Sequence, residues 1–271
     1  MKRAWSSLYL TALLTIAVGC APVATSAPTA SPEPVTLTVF AAASLTDAFN
    51  EIKGEFEAAH PEVTVAYNFG GSNALAQQLG EGAPADVFAS ANKKQMDVAI
   101  DAGRVVTDTT QVFVRNRLVV IVPKDNPGKV ETLQDLATPG LKIILAAKDV
   151  PVGQYALDFL DKAVQDATFG ATFKDTVLAN VVSYEDNVRS VLTKIALGEG
   201  DAGIVYTSDV GGDAVQDVIT LEIPDALNTI ATYPIGAVKD SAHPDAAQAF
   251  IDFVLSADGQ AILERYGFLS P

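Results

Sequence analysis

The stretch that decides the fold runs from Val39 to Phe49 and reads VFAAASLTDAF. Residues 36–41 are rich in β-branched side chains and predict a buried strand. Apolar residues then recur at helical spacing and predict one buried helix face: Leu45, Ala48, Phe49, Ile52 and Phe56. Ser44 therefore lies at or next to an N-cap. The first amides of a helix lack internal partners and lie at the positive end of its dipole, so we expect an anion there. From this segment alone, an ordinary capping serine is the alternative.

Three further junctions repeat this pattern of a strand that leads into a helix. They are residues 63–69 followed by Gly70-Gly71-Ser72-Asn73, residues 142–146 followed by Val150-Pro151-Val152-Gly153, and a strand over residues 177–182 followed by Glu185-Asp186-Asn187-Val188. Ligands of open α/β sheets bind outside the carboxyl ends of the strands. Because two junctions precede residue 80 and two follow residue 140, we expect two lobes that share one cleft.

Two extended segments are placed to connect these lobes. Residues 116–123 form a long apolar run that predicts a strand leaving the first lobe, and residues 231–238 predict a strand that returns to it. The predicted fold is α/β, with lobe 1 over residues 35–116 and 231–271 and lobe 2 over residues 117–230. Two such crossings would form a hinge.

The N-terminus has the features of an export signal. Lys2 and Arg3 precede an apolar run of signal-peptide length, which predicts a signal peptide over residues 1–19. The sequence Ala17-Val18-Gly19-Cys20 resembles a bacterial lipobox, in which the cysteine is acylated. The alternative is an ordinary signal peptide cut nearby, for example after Ala27. Residues 20–34 are mostly Ala, Pro, Ser and Thr and predict a tether to the membrane.

Composition excludes several classes of function. The formal net charge of -15 argues against nucleic acid as a partner and against attraction of anions by a general positive field. Cys20 is the sole cysteine of the sequence, which excludes an internal disulfide and a cysteine metal site. Any anion must therefore be bound by local dipoles. Separately, we expect the protein to be a monomer without a cofactor.

Several motifs together resemble the molybdate-binding proteins of bacterial ABC importers. They are Val39 to Leu45, Gly71-Ser72, residues 82–88 (GAPADVF), residues 150–153 (VPVG) and residues 203–209 (GIVYTSD). The resemblance implies a two-lobed, type II periplasmic-binding-protein-like fold with the ligand in the cleft. It also implies an extracytoplasmic, lipid-anchored protein that captures molybdate or tungstate and delivers it to a membrane permease.

The resemblance assigns the ligand contacts to five positions. The hydroxyl and amide of Ser44 and Ser72, the backbone amides of Val152 and Val188, and the Tyr206 hydroxyl would bind the oxyanion. Without the resemblance, Tyr206 has the alternative role of a packing tyrosine in a strand. All of these groups can donate, which suits a fully deprotonated oxyanion that has only acceptors. No protein ligand to a metal cation is implied.

Other ligands and an enzymatic function remain as alternatives. The same fold would also suit sulfate, phosphate or a small organic anion, and Asp47, Asp186 or Asp209 would accept a proton if one of them reached the cleft. An exported serine hydrolase is the remote alternative. It would need a base near its serine, but the two histidines, His60 and His243, each precede a proline in a predicted surface turn. We therefore expect a binding protein rather than an enzyme.

Overall fold

A computed structural model describes Met1 and residues 34–211 and 216–271 of the chain. Apart from Met1 and Pro34, the predicted signal peptide, Cys20 and the predicted tether lie outside the described residues. Within the described ranges, no helix has both the length and the apolar character needed to cross a bilayer.

Strands and helices alternate along most of the chain. The strands are β1 Val35–Ala42, β2 Val63–Gly70, β3 Val87–Ala89, β4 Gln111–Asn116, β5 Leu118–Pro123, β6 Ile143–Ala146, β7 Val181–Glu185, β8 Ala202–Tyr206, β9 Val218–Glu222 and β10 Ala231–Ala237. The α-helices are α1 Thr46–Ala59, α2 Ser72–Gly80, α3 Lys93–Asp101, α4 Pro151–Ala163, α5 Phe173–Ala179, α6 Val188–Ala196, α7 Pro244–Leu255 and α8 Ala257–Arg265.

The strands form two five-stranded sheets. The first has the order β2-β1-β3-β10-β4, and the second has the order β7-β6-β8-β5-β9. In each sheet the strands that lead into the site run parallel: β1 pairs in parallel with β2 and β3, and β6 pairs in parallel with β7 and β8. Their carboxyl ends therefore lie along one edge of each sheet. The predicted two-lobed α/β architecture is confirmed.

Burial of the apolar helix faces holds the helices against the sheets. The predicted stripe of α1 is buried at all five positions, none more than 1% exposed, and it packs with Phe113 and Phe250 at ring-centroid distances of 5.3 to 6.0 Å. The apolar faces of α2, α6, α7 and α8 are buried as well. Helix positions therefore follow from the apolar spacing of the sequence.

The chain passes between the sheets at two places. β4 belongs to the first sheet and β5 to the second, with Arg117 between them, so the single strand predicted over residues 116–123 is in fact divided. The buried Asn116 side chain accepts a hydrogen bond from the Arg117 amide at 3.0 Å, which removes one donor from strand pairing. The return runs from β9 to β10. The exact limits of the two lobes stay a prediction.

One predicted strand was wrong. Residues 177–179 end helix α5, and the strand before the fourth junction is β7, Val181–Glu185. A short apolar run does not distinguish a helix from a strand by periodicity alone. The buried Asn180 between them donates to the carbonyl oxygens of Leu136 and Thr138, at 3.0 and 2.8 Å, and these bonds hold the end of the helix in place.

Candidate functional site

All four predicted junctions meet at one cavity between the two sheets. It contains about 210 Å³ of space free of protein atoms, part of it open to solvent. The lining residues are Ala42, Ala43, Ser44, Gly70, Gly71, Ser72, Ala91, Val150, Pro151, Val152, Asn187, Val188 and Tyr206. The structure therefore brings together all five positions that the resemblance assigned to the ligand.

Ser44 lies in a short 3₁₀ turn, Ala43–Leu45, between β1 and α1. Leu45 is the N-cap of α1, so Ser44 is next to the cap, and it makes no side-chain capping bond. Its hydroxyl is instead 2.9 Å from the hydroxyl of Tyr233, and the residue is 5% exposed. Ser44 is therefore not an ordinary capping serine.

Ser72 is the first residue of α2 and is 1% exposed. Its Oγ accepts a hydrogen bond from the Ala91 amide at 2.9 Å, which leaves the hydroxyl proton free to donate. The preceding Gly71 lies against the other lobe: a Cβ there would be 2.4 Å from the carbonyl oxygen of Asp186. Glycine is needed at this position because the two lobes approach each other closely.

Helix α4 begins at the cavity with Pro151 and Val152. Proline suits the first helical position, where its missing N–H has no intrahelical partner in any case. The Val152 amide is therefore the first N–H of the helix, and its side chain is buried. Gly153 allows the helix to begin here, because a Cβ would lie 2.1 Å from the Ala147 carbonyl oxygen at the end of β6.

Helix α6 begins at the cavity with Val188. The N-cap Asn187 accepts a hydrogen bond from the Ser190 amide at 3.0 Å, and its Nδ2 donates to the Asp186 carboxylate at 2.8 Å. The cap thereby satisfies the Ser190 amide within the helix. The Val188 amide, as one of the first N–H groups of the helix, has no intrahelical partner.

Tyr206 ends β8 with its side chain 1% exposed. Its hydroxyl is buried and has no hydrogen-bond partner among the described residues. Burial raises the pKa of Tyr206 well above its ordinary value, so the phenol stays a neutral donor. An unpaired buried hydroxyl is costly, and this one lines the cavity with its proton free to donate.

None of the lining residues carries a formal charge. Of the three carboxylates considered, Asp47 pairs with Arg189 at 2.8 Å and Asp186 accepts from Asn187. Asp209 is fully buried and accepts from the Tyr206 amide at 3.0 Å. Burial raises the pKa of Asp209 to about 7, against the opposing effect of nearby Arg189. All three carboxylates lie outside the lining.

Contacts across the cleft hold the two lobes together around the cavity. The Asp47–Arg189 ion pair joins α1 to α6, with its second hydrogen bond at 3.3 Å. Gln95 of α3 donates to the Asp149 carbonyl oxygen at 3.3 Å. Together with the approach of Gly71 to the second lobe, these contacts describe a closed cleft.

Among the residues that the structure describes, no general base contacts either serine hydroxyl. His60 stacks on Phe56 at 4.5 Å and His243 is the N-cap of α7, so both lie away from the cavity lining. Among the described residues, no group of three or more His, Cys, Asp or Glu side chains could hold a metal ion. The arrangement is suited to binding by hydrogen-bond donors.

Two buried polar residues next to the cavity were missed by the sequence reasoning. Tyr233 was noted only as part of a strand, yet its hydroxyl contacts Ser44 and receives a hydrogen bond from Asn116 at 3.3 Å. A signal for Asn116 did exist: an asparagine that opens an apolar run is unusual, because buried asparagine needs several partners.

Comparison with known proteins agrees with this geometry. The model of the family "Bacterial extracellular solute-binding protein" matches residues 37–269. The molybdate-binding protein ModA of Mycobacterium tuberculosis is 37% identical over 235 residues, which cover 87% of this chain and 85% of the relative. A putative ABC transporter substrate-binding lipoprotein of Bacillus subtilis, YvgL, is 33% identical over 96% of this chain and 95% of its own length.

A solved structure shows the same fold. The periplasmic molybdate-binding protein of Azotobacter vinelandii superimposes with a TM-score of 0.76, at 20% identity, over 87% of this chain and 99% of that one. The relatives are solute-binding proteins and not enzymes. The chain belongs to the family of bacterial extracellular solute-binding proteins that includes the molybdate-binding protein ModA.

Proposed function

We propose that this protein is an extracytoplasmic receptor that binds molybdate or tungstate in the cleft and delivers it to the permease of an ABC importer. The proposal assigns the ligand contacts to Ser44, Ser72 and Tyr206 and to the backbone amides of Val152 and Val188.

The observation that carries this proposal is the Tyr206 hydroxyl. It is buried, lines the cavity and has no partner among the described residues. A ligand oxygen would accept its hydrogen bond and remove the cost of leaving it unpaired, which is about 1 to 3 kcal/mol.

The remaining groups supply the same kind of contact. Two serine hydroxyls and the N-termini of three helices, α2, α4 and α6, converge on the cavity from both lobes. Helix N-termini favour anions through their free amides and dipoles. Because no charged side chain lines the cavity, a dianion would be bound without the desolvation cost of a buried ion pair.

Selectivity follows from a lining made of donors. Molybdate carries no proton near neutral pH, whereas phosphate usually retains one, and that proton would need an acceptor. We therefore expect phosphate to bind at least about tenfold more weakly than molybdate, from a penalty of about 1 to 3 kcal/mol. Sulfate also lacks a proton, so its smaller size would have to exclude it.

Attachment and delivery are further parts of the proposal. Acylation of Cys20 after removal of residues 1–19 would anchor the protein to the membrane through the tether 20–34, and the name of the relative YvgL as a lipoprotein supports this. Lobe 1 over residues 35–116 and 231–271 and lobe 2 over 117–230 would close on the ligand as a monomer.

Competition binding tests the ligand assignment. The soluble domain from residue 35 would be saturated with molybdate and titrated with tungstate, sulfate and phosphate. Tungstate should displace molybdate at comparable concentration, and phosphate should not. Displacement by phosphate at comparable concentration would contradict a site made only of donors.

A further inference from the structure

A chain of buried hydrogen bonds leads from the crossing between the sheets to the cavity. It runs from Asn116, at the end of β4, through Tyr233 of β10 to Ser44. All three residues are nearly inaccessible to solvent: Asn116 and Tyr233 are 0% exposed and Ser44 is 5% exposed. Water therefore does not compete for these bonds, and their directions are set by the protein.

The orientation of the Asn116 amide follows from its neighbours. A backbone N–H only donates, so the Asn116 atom that lies 3.0 Å from the Arg117 nitrogen must be the side-chain oxygen. Thr207 also donates to this oxygen, at 3.1 Å. The Asn116 Nδ2 therefore faces Ser208 Oγ at 2.8 Å and Tyr233 Oη at 3.3 Å, with one proton for each.

This orientation determines the direction of the next bond. Asn116 Nδ2 has no lone pair to offer, so Tyr233 must use its own proton elsewhere. Among the described residues, its other hydrogen-bond partner is Ser44 Oγ, at 2.9 Å. Burial raises the pKa of Tyr233 well above its ordinary value, which keeps that proton on the phenol. Ser44 thus accepts from Tyr233 and keeps its own proton free.

The Ser72 hydroxyl also accepts a hydrogen bond from the protein and keeps its proton free, but its donor is a backbone amide. The Ala91 amide donates to its Oγ at 2.9 Å, so its proton is also available to a ligand. In both serines a protein donor occupies one of the two lone pairs of the hydroxyl oxygen, and the proton is left for the cavity. The lining therefore offers two serine protons, because a buried neighbour already donates to each hydroxyl oxygen.

From these contacts we infer that Asn116 and Tyr233 are positioning residues that determine specificity: they direct the Ser44 proton into the cavity, where it favours an unprotonated anion oxygen over a protonated one. This inference rests on the proposed function, because it concerns the same oxyanion site. Neither residue would touch the ligand. Their effect would be transmitted through the Ser44 hydroxyl.

The test compares Tyr233→Phe with the intact protein in one competition assay. Molybdate affinity is measured by calorimetry at pH 7, and phosphate is then used to displace bound molybdate. Without the Tyr233 hydroxyl, the Ser44 proton is no longer directed into the cavity, and Ser44 Oγ can turn a lone pair toward the proton of hydrogen phosphate. The preference for molybdate over phosphate should fall by about fivefold or more.

Two further variants separate positioning from a general loss of structure. Tyr67→Phe removes another tyrosine hydroxyl of the first sheet, which donates to the Phe49 carbonyl at 2.7 Å away from the cavity lining, and it should leave the preference unchanged. In a Ser44→Ala background, adding Tyr233→Phe should cause no further change in preference, because the hydroxyl through which Tyr233 acts is gone.

Each outcome decides a different claim. The inference is overturned if Tyr233→Phe weakens the binding of molybdate and of phosphate by the same factor. It is also overturned if phosphate displaces molybdate from neither protein. In both cases the proposed function stands. A further fall in preference in the Ser44→Ala background would also overturn it. If the intact protein fails to bind molybdate, the proposed function itself fails.

Discussion

Replacing Gly71 with alanine should obstruct closure of the cleft without disturbing either lobe. Gly71 precedes α2 in the first lobe, and its backbone, at φ -63°, is one that alanine adopts freely. A Cβ there would lie 2.4 Å from the Asp186 carbonyl oxygen of the second lobe. That atom belongs to the backbone, so it cannot rotate away as a side chain would.

The size of the effect follows from this overlap. Ordinary contacts of a Cβ begin at 3.4 Å, so the lobes would have to separate by about 1 Å at this point. Overpacking of this kind costs about 1 to 3 kcal/mol, which corresponds to a loss of molybdate affinity of about 5- to 150-fold. An open cleft has no such contact. The Cβ would also lie 2.8 Å from Asn73 Oδ1 of its own lobe, but that atom ends a side chain that can rotate away, so the free protein should keep its stability.

Calorimetric titration with molybdate and thermal unfolding of the free protein would measure the two effects separately. The neighbouring Gly70 supplies a matched control, since a Cβ there would contact the Leu75 side chain at 3.4 Å. Gly70→Ala should therefore bind much more tightly than Gly71→Ala. Equal affinities in the two variants, or a Gly71→Ala affinity like that of the intact protein, would refute the reasoning.

Four other substitutions give further predictions. Tyr206→Phe should weaken molybdate binding by about 1.5 to 3 kcal/mol in calorimetry without lowering the melting temperature of the free protein, because its hydroxyl has no partner to lose. Burial raises the pKa of Asp209 from 3.8 to about 7, so the folded protein keeps a proton that the unfolded chain releases. Stability in urea should therefore fall as the pH rises from about 4 to about 7, and Asp209→Asn should flatten this decline. Asp47→Asn should cost less than about 1 kcal/mol of affinity, measured at low salt, because its ion pair with Arg189 is partly exposed. Cys20→Ser should abolish membrane retention and lipid labelling in cells, and equal retention would contradict acylation.

Much of this architecture could be predicted because it depends on local apolar spacing. The stripe of α1 and the glycine and serine at the start of α2 are visible in the sequence, and they are enough to place the carboxyl ends of the strands near a common site. The resemblance to a known family then supplied five of the residues that line the cavity.

The rest depends on contacts between distant parts of the chain. Ser44 and Tyr233 are 189 residues apart, and nothing local indicates that their hydroxyls meet. The break at Arg117 between β4 and β5, where the chain passes from the first sheet to the second, depends likewise on the buried Asn116 side chain. The error at residues 177–179 has a different cause, since a three-residue apolar run fits a helix as well as a strand.

Calorimetric titration of the soluble domain with molybdate is the most direct test of the central claim. The account predicts one site per chain, with molybdate affinity nearly constant from mildly acidic to mildly alkaline pH. Neither molybdate nor any lining side chain titrates there, and Asp209, whose pKa burial raises to about 7, lies outside the lining. Absence of binding, or an affinity that changes strongly with pH across that range, would contradict an uncharged site made only of donors.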